Sequence, residues 1–257
     1  MTGLAHPAVV RSLRALTPAR VALGRTGVSQ QTRDVLDFQQ AHATARDAVH
    51  ASLDAAALAA VLARIPGALA AGPVLRLHSS APDRATYLQR PDLGRKLNAT
   101  SLKSLAALPV APCDLALVVA DGLSALAVER HAVPLLEHLL PRLGEFRLAP
   151  ISVVEQGRVA ISDQIGEALH AQMAAIIIGE RPGLSAPDSL GIYITWMPRP
   201  GRTDADRVCI SNVRTEGLPC AQAAENIEAA LSLARRRRFT GIPAAESPHS
   251  LAEGNPA

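Results

Sequence analysis

The chain has 257 residues, 48% hydrophobic but only 2% aromatic, with a formal net charge of +3. It can bury a sizeable core, packed from Ala, Leu, Val and Ile. Such a small charge excess, carried by arginine and only two lysines (Lys96 and Lys103), and so few aromatics give no grounds for a nucleic-acid platform.

Residues 1–72 read as an N-terminal helical segment. Val35, Phe38, His42, Ala45 and Val49 fall on one face at helical spacing, and Leu58, Val61, Leu62 and Ile65 continue the pattern. Pro66-Gly67 and Gly72-Pro73 then punctuate the chain. Val74–Leu77 is a candidate first strand, and 84–97 a mixed loop and helix broken by Pro91. Leu115–Ala120 reads as a strand buried on both faces. Ala125–Leu143 is a helix that Pro134 should kink or split. A third strand is expected over Phe146–Val154 and an amphipathic helix over Ser162–Gln172.

Ala174–Gly179 (AAIIIG) is the sharpest feature: a short, continuous apolar run rich in β-branched residues, as in a central parallel strand. A further strand is expected near 190–197, then a polar loop closing on Cys209, and a last helix from Ala221 to Arg237. Arg235–Arg238 sits at that helix's end, where cations complement the dipole. Strands alternating with helices predict an α/β fold over 73–242, with a Rossmann- or flavodoxin-like, mainly parallel sheet. The stretch 243–257 reads as a disordered tail.

In an open α/β sheet, ligands bind at the carboxyl ends of the strands. Glu180 leaves the buried strand at that point, as a ligand contact or as an ion-pair partner of Arg181 or Arg199. Asp121-Gly122-Leu123-Ser124 follows the other buried strand and is either an anion-binding helix start or a capped turn. The histidines form no metal-ligand spacing, and no phosphate loop, dinucleotide fingerprint or nucleophile elbow is present. Cys113, Cys209 and Cys220 make neither a disulfide framework nor a zinc pattern, and point to a reducing compartment. No run approaches the roughly 18 apolar residues of a membrane span, and the first residues do not read as a secretory signal. The chain reads as soluble and cytoplasmic.

Several longer motifs occur together: Tyr87-Leu88-Gln89-Arg90-Pro91-Asp92-Leu93-Gly94-Arg95, Asp121-Gly122-Leu123-Ser124, Gly157-Arg158-Val159, Asp163-Gln164-Ile165-Gly166-Glu167, Gly179-Glu180-Arg181-Pro182-Gly183-Leu184 and Arg207-Val208-Cys209-Ile210-Ser211-Asn212. With them, from about Leu13 to Ile242, the chain resembles the small subunit of ethanolamine ammonia-lyase. The resemblance implies a carbon–nitrogen lyase of two subunit types that uses adenosylcobalamin for radical conversion of ethanolamine to acetaldehyde and ammonia. It implies that Val159, Glu180 and Cys209 contact the cobalamin. It further implies that 73–242 is the cobalamin-binding domain and that 1–72 helps dock a large subunit, which holds the substrate. No catalytic residue and no metal ligand is expected on this chain. Encapsulation in a bacterial microcompartment is left open. The alternative is a stand-alone cobalamin-binding or assembly module without catalysis.

Overall fold

The computed structural model describes residues 13, 15–17, 19–21, 23–109 and 111–242. Residues 1–12 of the expected helical segment, and the expected tail 243–257, lie outside the described residues. A two-stranded hairpin, β1 (Arg25–Thr26) and β2 (Ser29–Gln30), precedes helices α1 (Thr32–His50) and α2 (Ala55–Leu62). Then follow β3 (Leu75–His78), α3 (Arg84–Gln89), α4 (Ala99–Ala106), β4 (Cys113–Ala120), α5 (Ala125–Leu139), β5 (Ser152–Glu155), α6 (Ile161–Ala168), β6 (Ala171–Gly179), β7 (Leu190–Trp196), β8 (Arg207–Val213) and α7 (Cys220–Arg237).

Short polar side chains start the helices where the sequence supplies them. Asp54, Asp83, Asn98 and Ser124 each accept a backbone N–H of the first turn of α2, α3, α4 and α5. Pro134 does not split α5. Its missing N–H costs the helix only the bond to the carbonyl of Arg130, an exposed residue.

The six-stranded sheet runs β3-β5-β4-β6-β7-β8. β3, β5, β4 and β6 are parallel, and β7 and β8 are antiparallel additions at one edge. The expected α/β, mainly parallel sheet is therefore the observed one. β4 and β6 are apolar throughout their central span because both their faces are covered. One face packs Leu115, Leu117, Val119, Ala175, Ile177, Ile192 and Ile194 against α2, α5 and α7. The other packs Ala116, Val118, Ala120, Ile176 and Ile178 against α4 and α6. Ala-rich strands let these helices approach closely, as the near-absence of aromatics requires.

Several elements differ from the sequence reading: the β1–β2 hairpin lies inside the segment read as helical, α4 was not expected, and three further differences bear on the sheet. The expected helix 162–172 ends at Ala168, and His170, at φ +50°, turns the chain so that Ala171 and Gln172 already belong to β6. The third strand is confined to Ser152–Glu155. The expected polar loop ending on Cys209 is strand β8. Arg207, Cys209 and Ser211 alternate there with Val208 and Ile210. The alternation is that of an edge strand with one apolar face packed on α7 and one polar face turned away.

Candidate functional site

After β4 the chain turns to α5 on one face of the sheet, and after β5 it turns to α6 on the other. The divergence opens a crevice at the carboxyl ends of the strands. Buried Asp121 fills it. Its Oδ2 accepts the Gln156 N–H (3.0 Å) and its Oδ1 the Gly157 N–H (3.0 Å). Arg84, also buried, reaches in from α3. Its Nη1 contacts Asp121 (3.3 Å), the Gly122 carbonyl (2.8 Å) and Gln156 Oε1 (3.3 Å), while its Nε donates to the Val49 carbonyl at the end of α1 (2.7 Å). Burial pushes Asp121 up to about 6, opposed by the Arg84 charge and by the two backbone N–H groups. Gln156 holds φ +56° in this web, a backbone conformation that only surrounding bonds sustain. Gly122, at φ +57°, is required for a second reason: a Cβ there would run into the Gly179 carbonyl oxygen. Ser124 caps α5 by accepting the Ala127 N–H at 3.2 Å. The Asp121–Ser124 segment is thus a saturated, capped turn.

The web fixes the loop that follows β5. Tyr87 donates its hydroxyl to the Gly157 carbonyl at 2.9 Å. The Arg158 guanidinium lies 4.3 Å from the Tyr87 ring centroid, a cation–π distance, and the Arg158 N–H donates to the Gly94 carbonyl at 2.7 Å. Val159 comes next, half-buried at the entry to α6.

Beyond α6, among the described residues, no helix packs on the same face of β7 and β8. In β7, Tyr193 pairs in register with Cys209 of β8 and with Ile176 of β6. The Tyr193 and Cys209 side chains are hydrogen-bond partners. Glu180, half-buried, accepts the Asn212 N–H at Oε2 (3.2 Å), and Asn212 adopts φ +58° there. Glu180 Oε1 carries no hydrogen bond, and Glu180 has no ion pair, among the described residues; the expected rim pairs with Arg181 or Arg199 are absent from that set. A Cβ at Gly191 would stand 3.0 Å from Glu180 Oε1, so glycine leaves room beside the carboxylate. Below this shelf Arg207 forks onto Asp163 of α6 (2.9 and 2.7 Å), and both side chains are almost fully buried. That pair ties β8 to α6 and closes the floor.

The result is a half-open cavity of about 440 Å³ at the carboxyl edge. Val159 and Glu180 line it together, with Tyr87, Arg158, Ile178 and Tyr193. Cys209 stands one strand away, joined to its wall through Tyr193. Although Cys209 is exposed as a residue, dehydration beside Tyr193 pushes its thiol up, so the thiol is neutral near pH 7 and is no nucleophile. Tyr193 is pushed up to about 12, again chiefly by burial. Among the described residues no group of His, Cys, Asp and Glu is arranged to hold a metal ion, and no helix is long and apolar enough to cross a membrane. A larger cavity of about 760 Å³ lies at the opposite edge of the sheet, between α2, β3 and α4. None of the three expected contact residues touches it.

Of the three residues the sequence reading singled out, the fold brings Val159 and Glu180 to one cavity and leaves Cys209 outside its lining, beside Tyr193 on the neighbouring strand. That reading gave no role to Arg84, Tyr87, Arg158 or Tyr193. A signal existed for two of these: the chain has only two tyrosines, and both line the same cavity.

Residues 7–244 match the family described as ethanolamine ammonia-lyase light chain (EutC). The small subunit of ethanolamine ammonia-lyase from Pseudomonas aeruginosa PAO1 is 56% identical over 235 residues, covering 90% of this chain and 84% of the relative. The Azotobacter vinelandii small subunit is 57% identical over 239 residues, covering 90% and 86%. That of Ralstonia nicotianae is 56% identical over 237 residues, with the same coverage of 90% and 86%. At that identity and coverage, this chain belongs to the ethanolamine ammonia-lyase light-chain family.

Proposed function

We propose that this chain binds adenosylcobalamin on the open β7–β8 shelf and, with a large subunit that holds ethanolamine, forms an ammonia-lyase. The observation that carries the reading is the half-open cavity lined by Val159 and Glu180, with Cys209 beside it. The residues fit a corrin. The cavity is half-open and mixed in polarity, and Glu180 Oε1 is a spare carboxylate acceptor for the amide N–H groups that fringe such a ring.

Bound there, the cofactor supplies homolysis of its cobalt–carbon bond and hence the radical chemistry that turns ethanolamine into acetaldehyde and ammonia. The residues of this chain bind and orient. Val159 and Ile178 offer apolar contact to the disc. Glu180 accepts from the ring's periphery and fixes its rotation. Tyr193 holds the neutral Cys209 thiol against the same surface. The Asp121–Arg84 web keeps the loop carrying Arg158 and Val159 from shifting. None of these groups is a general acid, base or nucleophile, so the chain is inactive alone. Residues 1–72 dock the large subunit; in their described part α1 exposes Leu36 and Phe38.

Co-expression with a large subunit tests this, with ammonia release as the readout. Activity is expected only when both subunits and adenosylcobalamin are present. Ammonia release by this chain alone, or by the pair without cofactor, overturns the reading.

A further inference from the structure

Next to the corrin shelf lies a second cavity of about 560 Å³, and the two share Arg158 and Val159 as a common wall. It is markedly cationic. Arg95, Lys96, Arg158, Arg202 and Arg207 line it, against only two carboxylates, Asp163 and Asp204. Asp163 is committed to Arg207, and Arg202 is met by Asp206 at 3.3 Å. Arg95, Lys96 and Arg158 have no carboxylate within ion-pair distance among the described residues. Two buried donors are also orphaned: Arg158 Nε and Arg207 Nε make no hydrogen bond. The Arg207 side chain is 1% exposed, and the carboxylate nearest its Nε, Asp204, stands 3.8 Å away, too far for a hydrogen bond. Buried donors left unpaired are costly, and unopposed guanidinium groups match a tetrahedral oxyanion.

We infer that this cavity binds an anion, and that the anion is the phosphodiester of the cobalamin nucleotide loop. The inference rests on the proposed cofactor site. The corrin's side chains are neutral amides, and of the cofactor's appendages only the phosphodiester carries a localised negative charge. A protonated amino alcohol, the substrate class, is repelled here. Arg95 and Lys96, both exposed, supply attraction from the rim. Arg158 forms the boundary between ring and loop, and so sets the angle between them.

The assembled two-subunit enzyme tests this by equilibrium titration, read as the corrinoid absorbance change, with adenosylcobalamin and with adenosylcobinamide, which lacks the phosphodiester and base. Arg95→Gln/Lys96→Gln changes two exposed side chains and leaves the core alone. Its expected effect is roughly tenfold weaker binding of adenosylcobalamin, with a shallower salt dependence and unchanged binding of adenosylcobinamide. Equal weakening of both corrinoids, no weakening, or loss of subunit assembly (which would assign the cations to carboxylates of the large subunit) overturns the inference. If the unmodified complex binds neither corrinoid, the proposed function falls with it. If it binds both and the double variant does not tell them apart, only the anion site falls.

Discussion

The carboxyl edge of the sheet holds two polar regions built on opposite plans. In the crevice between β4 and β5, Asp121, Arg84 and Gln156 bond to one another and to the surrounding backbone with almost no exposure, and of the Arg84 nitrogens only Nη2 is left without a partner among the described residues. On the shelf of β7 and β8, Glu180 keeps a free oxygen, and Tyr193 and Cys209 stay within reach of solvent. A network that spends nearly all its groups on itself, deep out of solvent, has little left to offer a ligand and serves to fix geometry. A carboxylate with spare capacity on an uncovered strand pair is ready for a partner. Charge and burial alone would have singled out the crevice; a free acceptor within reach of solvent singles out the shelf.

Breaking the crevice should have the largest effect. Arg84→Ala leaves Asp121 buried without its counter-charge and should cost about 3–5 kcal/mol, measured by urea unfolding. A loss under about 1 kcal/mol would show that the web is not fixing the loop.

The pH dependence follows from the same group. Asp121 is raised from 3.8 to about 6 in the folded chain. Between those values the folded protein holds a proton that the unfolded chain has released. Stability from this group therefore falls as pH rises through that window, and the cost is complete above about pH 6. Against Asp121→Asn, which cannot titrate, the unmodified protein should gain on the order of 2 kcal/mol of relative stability from pH 7 to pH 4. Parallel unfolding curves across that range would contradict it.

On the shelf the order reverses, with binding affected more than stability. Glu180→Ala should weaken cobalamin binding by the assembled enzyme roughly tenfold while lowering stability by no more than about 1 kcal/mol, the worth of the Asn212 bond. A stability loss as large as that of Arg84→Ala would erase the contrast between the regions. Cys209→Ala should have the smallest effect: stability within about 0.5 kcal/mol and affinity within about threefold, half of a tenfold step in free energy. The raised thiol should also react with iodoacetamide more slowly at pH 7 than a free cysteine does. A fast reaction would indicate a thiolate and reopen a chemical role for it.

The helix-bounded interior was readable because β4 and β6 advertise burial by unbroken apolar runs, while the helix starts at Asp54, Asp83 and Asn98, and the whole of α4, went unread. β8 was misread because its polar residues look like a loop until their period of two is set against Val208 and Ile210. The end of α6 was misread because His170 gives no sequence signal for its left-handed turn. Glu180 was found by its position after a buried strand, and Val159 and Cys209 only through family likeness, since neither side chain is chemically distinctive.

The sequence alone determined the alternation of strands and helices, the apolar identity of the central sheet and the carboxylate at its edge. These follow from local periodicity and from which side chains tolerate burial. Only the tertiary structure decided that β7 and β8 run antiparallel with one face that no described helix covers, that Arg84 crosses to Asp121, and that both tyrosines meet at one cavity. Those outcomes depend on pairings between residues tens of positions apart, and whether a charge there is spent or free is settled only when its neighbours are in place.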